Sequence, residues 1–279
     1  MSSDSVTIPS GRGGAAASVD ILMYHSVAEA PGPTSIAPRV FEAQMAALAA
    51  SGLPVLRMDA VPDHLARGRG RAVAITFDDG FRDFHDTAWP VLRRFGLPAI
   101  VYLPTDRIGG AEDWAGAHRP PRPLMDWDQI RALAAEGADF GSHTATHPDL
   151  SRLDPDRAAR ELDRAAARIG AELGRRPAHF APPYGASTPE IRRLIAARHA
   201  TSVGTGLGIA APGAARHDLP RIEMYYYRDA ARWRAHLAHG GGAYLPLRRT
   251  LRRVRQTVLS NFGFRSGLRK DHASVSEML

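Results

Sequence analysis

Two clusters of titratable residues carry the chemical content of this chain. The first is Thr76-Phe77-Asp78-Asp79-Gly80, which follows the apolar run Ala72-Val73-Ala74-Ile75. An unbroken run of small and β-branched residues predicts a strand buried on both faces, so the two carboxylates emerge where it ends. Adjacent aspartates on extended backbone point to different sides, which lets one face a metal while its neighbour faces the water that metal activates. The same Asp-Asp-Gly is also a good strand-ending turn. The second cluster is Gly141-Ser142-His143-Thr144-Ala145-Thr146-His147-Pro148. Histidines four apart fall on one side of a helical turn and can both present a ring nitrogen to one ion. Spacing alone is weak, since 12 His in 279 residues give roughly half of one such pair by chance. Context adds to it: Ala138-Asp139-Phe140-Gly141 reads as a short strand, so this pair too sits at a strand's carboxyl end, where α/β enzymes place chemistry. One carboxylate and two imidazoles leave water positions open, the arrangement of a catalytic metal site rather than a closed structural one.

In this order and separation the two clusters resemble the first two motifs of the polysaccharide deacetylases, carbohydrate esterase family 4, whose shared unit is the NodB homology domain. A third motif, normally Arg-x-Pro-Tyr-Gly, is approximated by Ala181-Pro182-Pro183-Tyr184-Gly185. The resemblance covers roughly residues 20 to 240. It implies a single-domain, distorted (β/α)7 TIM-like barrel and a metal-dependent hydrolase. Asp79, His143 and His147 would hold the ion, Zn²⁺ by its fit to a His/His/Asp set, with Co²⁺, Ni²⁺ or Fe²⁺ as alternatives. Asp78 would be the general base, and the Tyr184 backbone N–H would help hold the oxyanion. Conventional members carry a late Leu-x-His motif whose histidine is the general acid, and no convincing copy follows Tyr184. Tyr24-His25 instead resembles the Tyr-His motif near the amino terminus of the poly-N-acetylglucosamine deacetylases of biofilm matrix export. That implies a circularly permuted barrel with His25 as the acid. Ala181 stands where the family has arginine, so the usual brace of the catalytic aspartate is absent from this motif. The implied substrate is an N-acetylated glycan or a lipid-linked oligosaccharide, and the products are acetate and a free hexosamine amine. A relative of this fold could also take an O-acetyl glycan, a formamido sugar or a small amide, and a non-catalytic glycan-binding protein would retain the same motifs.

The remaining sequence must build the frame. The length suits one α/β barrel, and 44% hydrophobic residues supply a core. With no Cys, disulfides and thiolate chemistry are excluded. Val19 to Tyr24 reads as the first strand and Phe41 to Ser51 as a helix with an apolar stripe at Phe41, Met45 and Leu48. Pro54-Val55-Leu56 is a short strand, Phe81 to Phe95 a helix stopped by Gly96, and Leu97 to Leu103 the next strand. Residues 105 to 123 form an excursion with Trp114, which could stack on a sugar ring or fold back on the barrel. Helices follow from Asp126 to Gly137 and from Asp154-Pro155 to Leu173. Strands are expected at Ala178 to Phe180, Thr201 to Gly204 and Leu219 to Glu223, and a closing helix at Ala230 to Leu237. Tyr225, Tyr226 and Tyr227 could line a glycan groove or pack inside.

Residues 1–18 are small and polar and read as a disordered arm, 19–240 as the deacetylase-like domain, and 241–279 as a basic amphipathic or disordered tail. The net charge is +7, but Lys270 is the only lysine in an Ala- and Arg-rich chain, so the global charge says little. Local clustering says more: Leu247 to Lys270 holds eight basic residues and no acid, interleaved with apolar ones. That pattern suits peripheral contact with an anionic membrane or a partner protein, while nucleic acid is not expected. No secretory signal pattern opens the chain and no apolar run is long enough to span a bilayer, so the expectation is a cytoplasmic protein, membrane-peripheral at most.

Overall fold

A computed structural model describes residues 16–261. In chain order its elements are β1 (Ser18–Tyr24), α1 (Pro38–Ala50), β2 (Val55–Leu56), α2 (Val61–Arg67), β3 (Arg71–Phe77), α3 (Trp89–Phe95), β4 (Ile100–Leu103) and α4 (Trp127–Ala135). They continue with β5 (Asp139–Ser142), α5 (Pro155–Leu173), β6 (His179–Phe180), α6 (Pro189–Ala196), β7 (Thr201–Leu207), β8 (Leu219–Glu223), α7 (Ala230–His239) and α8 (Tyr244–Asn261).

All the strand pairings are parallel, and seven strands close a ring in the order β1, β3, β4, β5, β6, β7, β8, with β8 returning to β1. This is the distorted (β/α)7 barrel expected from the motifs. The seam between β1 and β3 is the longest, running in register from Ser18 against Arg71 to Tyr24 against Phe77. β2 lies outside the ring and shares the far edge of β3 with β4: Val55 and Leu56 pair with Val73 and Ala74, whereas Ile100 and Val101 pair with Thr76 and Phe77.

Side-chain parity explains what the barrel can position. Successive residues of a strand alternate between the interior and the helix-covered exterior. Val19 and Ile21 of β1, Ala72 and Ala74 of β3, Tyr102 of β4 and Leu219 of β8 form one apolar cluster inside the ring. Leu22 and Tyr24, Val73, Ile75 and Phe77, and Ile222 belong to the cluster beneath the helices. Continuing the interior parity along three strands reaches His25, Asp78 and Arg221. Outside, Phe41, Met45 and Leu48 of α1 are wholly buried, each contributing about 2 kcal/mol.

Several boundaries differ from expectation. Ser18 begins β1 and Ala17 is buried, so residues 17 and 18 belong to the fold rather than to an arm, and residues 1–15 lie outside the described ones. The helix α1 starts at Pro38, whose fixed φ suits a first helical turn. The helix read from Phe81 opens with a π-type turn over Phe84–Ala88 before α3. The basic segment begins as the helix α8, with Leu245 buried and Arg252 donating to the Thr205 carbonyl at 3.1 Å. Residues 262–270 of that segment lie outside the described ones.

One buried side chain makes stability pH-dependent. His199 lies in stacked contact with Phe180, ring centroids 5.1 Å apart, with Nδ1 3.1 Å from the Pro177 carbonyl. Burial lowers its pKa from 6.5 to about 4. The folded state therefore resists a proton that the unfolded chain accepts. Its contribution is complete above pH 6.5 and is lost as pH falls toward 4, a loss of about 3 kcal/mol across that window. A His199→Gln variant should show a flatter decline between these values in urea unfolding; an unchanged decline would place the acid sensitivity elsewhere.

Candidate active site

The two aspartates leave β3 where its parity divides them. Asp78 continues the interior face, and its N–H donates to the Tyr24 carbonyl at 3.0 Å, extending the β1–β3 pairing by one residue. Asp79 then turns away in the left-handed region at φ 74°. Gly80 follows at φ 71°, where a Cβ would stand 2.9 Å from Leu103 Cδ2, so both conformation and space call for glycine.

The histidine pair reaches the same point by a route unlike the one expected. Residues 143–149 are not a helical turn; Thr144 at φ 70° and His147 at φ 62° fold the segment into a loop after β5. Buried Thr144 helps hold it, because its Oγ1 accepts from the His147 N–H at 3.0 Å. Glu161 of α5 holds it from outside, accepting the Ala145 and Thr146 N–H groups at 3.0 and 2.8 Å and the Thr146 hydroxyl at 2.9 Å. The two histidines thus come together through this loop and not through helix geometry.

Asp79, His143 and His147 converge. His143 Nε2 and His147 Nε2 stand 3.3 and 3.2 Å from Asp79 Oδ1. The ligand atoms of all three residues lie within 4.8 Å of one another, and all three are buried. His143 Nδ1 donates to the Ala181 carbonyl at 2.6 Å, so Nε2 is the nitrogen turned to Asp79; burial pushes the imidazole pKa down, Asp79 and Asp78 more than offset it, and an ion bound here would take the place of the Nε2 proton. Burial alone would raise the Asp79 carboxyl, but hydrogen bonds from the two imidazoles hold it well below the usual carboxylate range. His147 is lowered, chiefly by burial. A buried carboxylate facing two imidazole nitrogens is a donor set that fits a divalent ion of the zinc type.

Beside this set stands Asp78, buried and clasped by Arg221 of β8. The guanidinium donates to both carboxylate oxygens, at 2.8 and 2.7 Å, and also to Thr76 Oγ1 and the Gly204 carbonyl. Burial pushes the Asp78 carboxyl up, and the charge and hydrogen bonds of Arg221, joined by the His143 and His25 imidazoles, more than offset it, so its pKa is lowered. Arg221 was not among the expected site residues. The signal was available, since an arginine on the interior parity of a strand, between Leu219 and Ile222, needs an anionic partner inside the barrel. His25 Nε2 also approaches Asp78, 3.9 Å from Oδ2, while its Nδ1 is buried without a hydrogen-bond partner among the described residues. The loop that carries it is pinned by Asp83, which accepts from Ser26 Oγ at 2.5 Å and the Val27 N–H at 2.8 Å.

Aromatic rings wall the set. Tyr184, at φ 59° and 46% exposed, stands edge-on to His147 with centroids 5.0 Å apart. Gly185 beside it, at φ 67°, admits no Cβ, which would fall 2.1 Å from Thr205 Oγ1. The 105–123 excursion folds back over the site, and Trp114 stacks on His147 at 4.2 Å and 24°. All six expected residues therefore meet at the carboxyl ends of the strands. The four non-glycine residues with positive φ among the described ones, Asp79, Thr144, His147 and Tyr184, all lie here.

Known proteins resemble this chain in sequence and in fold. A family profile described as polysaccharide deacetylase matches residues 66–203. YxkH of Bacillus subtilis is 28% identical over 149 residues, which are 52% of this chain and 49% of that protein. A chitooligosaccharide deacetylase of Bradyrhizobium sp. is 31% identical over 123 residues, 43% of this chain and 49% of that protein. The chain thus spans about half the length of these curated relatives. IcaB from Ammonifex degensii shares the fold, with a TM-score of 0.64 at 24% identity over 79% of this chain and 98% of that one.

Proposed function

The chain belongs to the polysaccharide deacetylase family, and from that premise we propose that it is a metal-dependent hydrolase of carbon–nitrogen bonds in linear amides. It removes N-acetyl groups from N-acetylhexosamine units of a polysaccharide or its precursor, in the metabolism of surface polysaccharides. The observation that carries this reading is the meeting of Asp79, His143 and His147 at one point with ionised Asp78 alongside.

An amide carbonyl is a poor electrophile and its amine a poor leaving group, so hydrolysis needs help at three atoms. Asp79, His143 and His147 would hold a divalent ion such as Zn²⁺, which would supply Lewis acidity and lower the pKa of water. Asp78, kept ionised and oriented by Arg221, accepts a proton from the water that attacks the carbonyl carbon. The Tyr184 N–H donates to the oxygen on which negative charge develops. His25 gives a proton to the nitrogen as the C–N bond breaks, releasing acetate and a free amine. This assigns His25, at the end of the first strand, the place that a late histidine has in conventional members, as in a permuted barrel. Trp114 and Tyr184 shield the reacting atoms from bulk water.

Acetate release from chitooligosaccharides should be lost after dialysis against a chelator and return with Zn²⁺, more strongly than with Mg²⁺. Release that survives chelation would refute the metal assignment, and no release with any metal would refute the deacetylase. Two features motivate a non-catalytic reading, the missing arginine at Ala181 and the missing late Leu-x-His motif; the clasp of Asp78 by Arg221 weighs against the first, and the place of His25 beside Asp78 against the second.

We also read 247–270 as a peripheral membrane contact. Leu247 and Leu251 are exposed on α8 among arginines, and no helix among the described residues is long and apolar enough to cross a membrane. Deleting residues 247–279 should abolish co-flotation with anionic vesicles while zinc still binds; unchanged flotation would discard the reading.

A further inference from the structure

A second cavity, of about 550 Å³, opens at the same end of the barrel between the loop after β1, the segment after β8 and the first turns of α7 and α8. Four guanidinium groups line it: Arg39, Arg228, Arg232 and Arg248. The arginines that the fold uses structurally are paired with carboxylates, Arg221 with Asp78, Arg71 with Asp20 and Arg122 with Glu112. Among the described residues no such ion pair reaches the four in the cavity. Three of them lie on tyrosine faces instead: Arg228 is 3.8 Å from the Tyr225 centroid, Arg248 4.6 Å from Tyr226 and Arg232 4.8 Å from Tyr244. A stacked guanidinium is held in place without being neutralised; Arg248 Nε donates to the Tyr244 hydroxyl at 3.2 Å, which leaves its two terminal nitrogens to face an acceptor.

Charge counting narrows the ligand. The lining has two acids, Glu29 and Asp229, against four arginines, so 4 − 2 leaves a charge of +2. Asp229 is partly engaged already, accepting the Arg232 N–H at 2.7 Å to cap α7. Like charges gathered in one cleft repel, and an anion bound there relieves that repulsion. A phosphomonoester or a diphosphate diester brings about two negative charges, where a uronate brings one. The cavity also lies within reach of the chemistry. Ala28 in its lining is three residues beyond His25, and Tyr225 is four beyond Arg221, at most about 10 and 14 Å of extended backbone.

We infer that this cavity binds a phosphoryl group on the sugar substrate, so that the substrate class is a phosphorylated N-acetylhexosamine, soluble or borne as a lipid headgroup. The identity of the reacting acetyl group rests on the proposed deacetylase; the anion site does not. In calorimetric titrations of the full chain, N-acetylglucosamine 1-phosphate should bind about ten- to a hundredfold more tightly than N-acetylglucosamine. That preference should collapse toward unity in an Arg39→Gln/Arg228→Gln variant whose thermal unfolding matches wild type, and should weaken with salt. Phosphatidylcholine vesicles with and without polyprenyl phosphate form a second arm, and binding that requires the phosphate in either arm supports the site. Equal binding of the phosphorylated and neutral sugars, a preference that survives in the variant, or equal binding of a glucuronate-bearing sugar would overturn it. Phosphate preference without acetate release from any glycan would leave this site and remove the proposed activity. Acetate release without phosphate preference would do the reverse.

Discussion

An Asp78→Asn variant is expected to release acetate about 10²- to 10⁴-fold more slowly than wild type, the range lost when a positioned general base is removed. Zinc binding should persist, since Asp79, His143 and His147 are untouched. The unfolding midpoint should also fall, because Arg221 is 1% exposed and its guanidinium loses the carboxylate that compensates it. Rates should therefore be compared well below that midpoint. Acetate release at the wild-type rate would show that another group takes the proton from water, and Asp78 would then be structural.

Arg221→Met tests the same pair from the other side. Breaking a buried ion pair by removing one partner costs about 3–5 kcal/mol, measurable as a lowered urea midpoint. The effect on chemistry is separable by pH. In the wild type, burial raises the Asp78 carboxyl, and Arg221 with the His143 and His25 imidazoles together lowers it by more. Because the folded value is depressed, the pair's contribution is complete above the ordinary aspartate range and is lost as pH falls through the folded value. Without Arg221, only the His143 and His25 imidazoles oppose burial, so the acid limb of the pH–rate profile should move upward. A variant with an unshifted limb and wild-type stability would mean that the observed bidentate contact has no part in setting the base.

The frame of this site was legible wherever a local signal coincided with a tertiary one. The limits of α5 follow from Asp154, Pro155 and Gly174, and the structure shows the Asp154 carboxylate capping the Arg157 N–H at 2.8 Å. Asp126 with Gln129 forms a reciprocal cap on α4 in the same way. The strand-ending positions of Asp78 and of the histidine pair were readable because buried parallel strands leave continuous apolar runs. What was not legible depends on contacts remote along the chain. Arg221 meets Asp78 across 143 positions, and no window around either residue reveals the other. Asp20 is a buried acid inside the otherwise apolar β1. Its carboxylate accepts from Arg71 at the start of β3 and lies 2.8 Å from His236 Nε2 of α7, tying the closing helix to the barrel. Tyr227 is wholly buried in that same network, while Tyr225 and Tyr226 are half-buried at the cavity, so three consecutive tyrosines divide between two roles. Trp114 was undecided between sugar and barrel because its partner, His147, lies across a loop whose path no periodicity describes.

The gathering of positive-φ residues bears on any attempt to make this protein hardier. A backbone survey for thermostabilising changes would nominate Asp79, Thr144, His147 and Tyr184 for glycine, since each non-glycine residue there costs of order 1 kcal/mol or more. Two of those four side chains point at the proposed ion and a third forms its rim. Robustness must therefore be sought in the outer helices, where relaxing the chain does not dismantle what the barrel was built to hold.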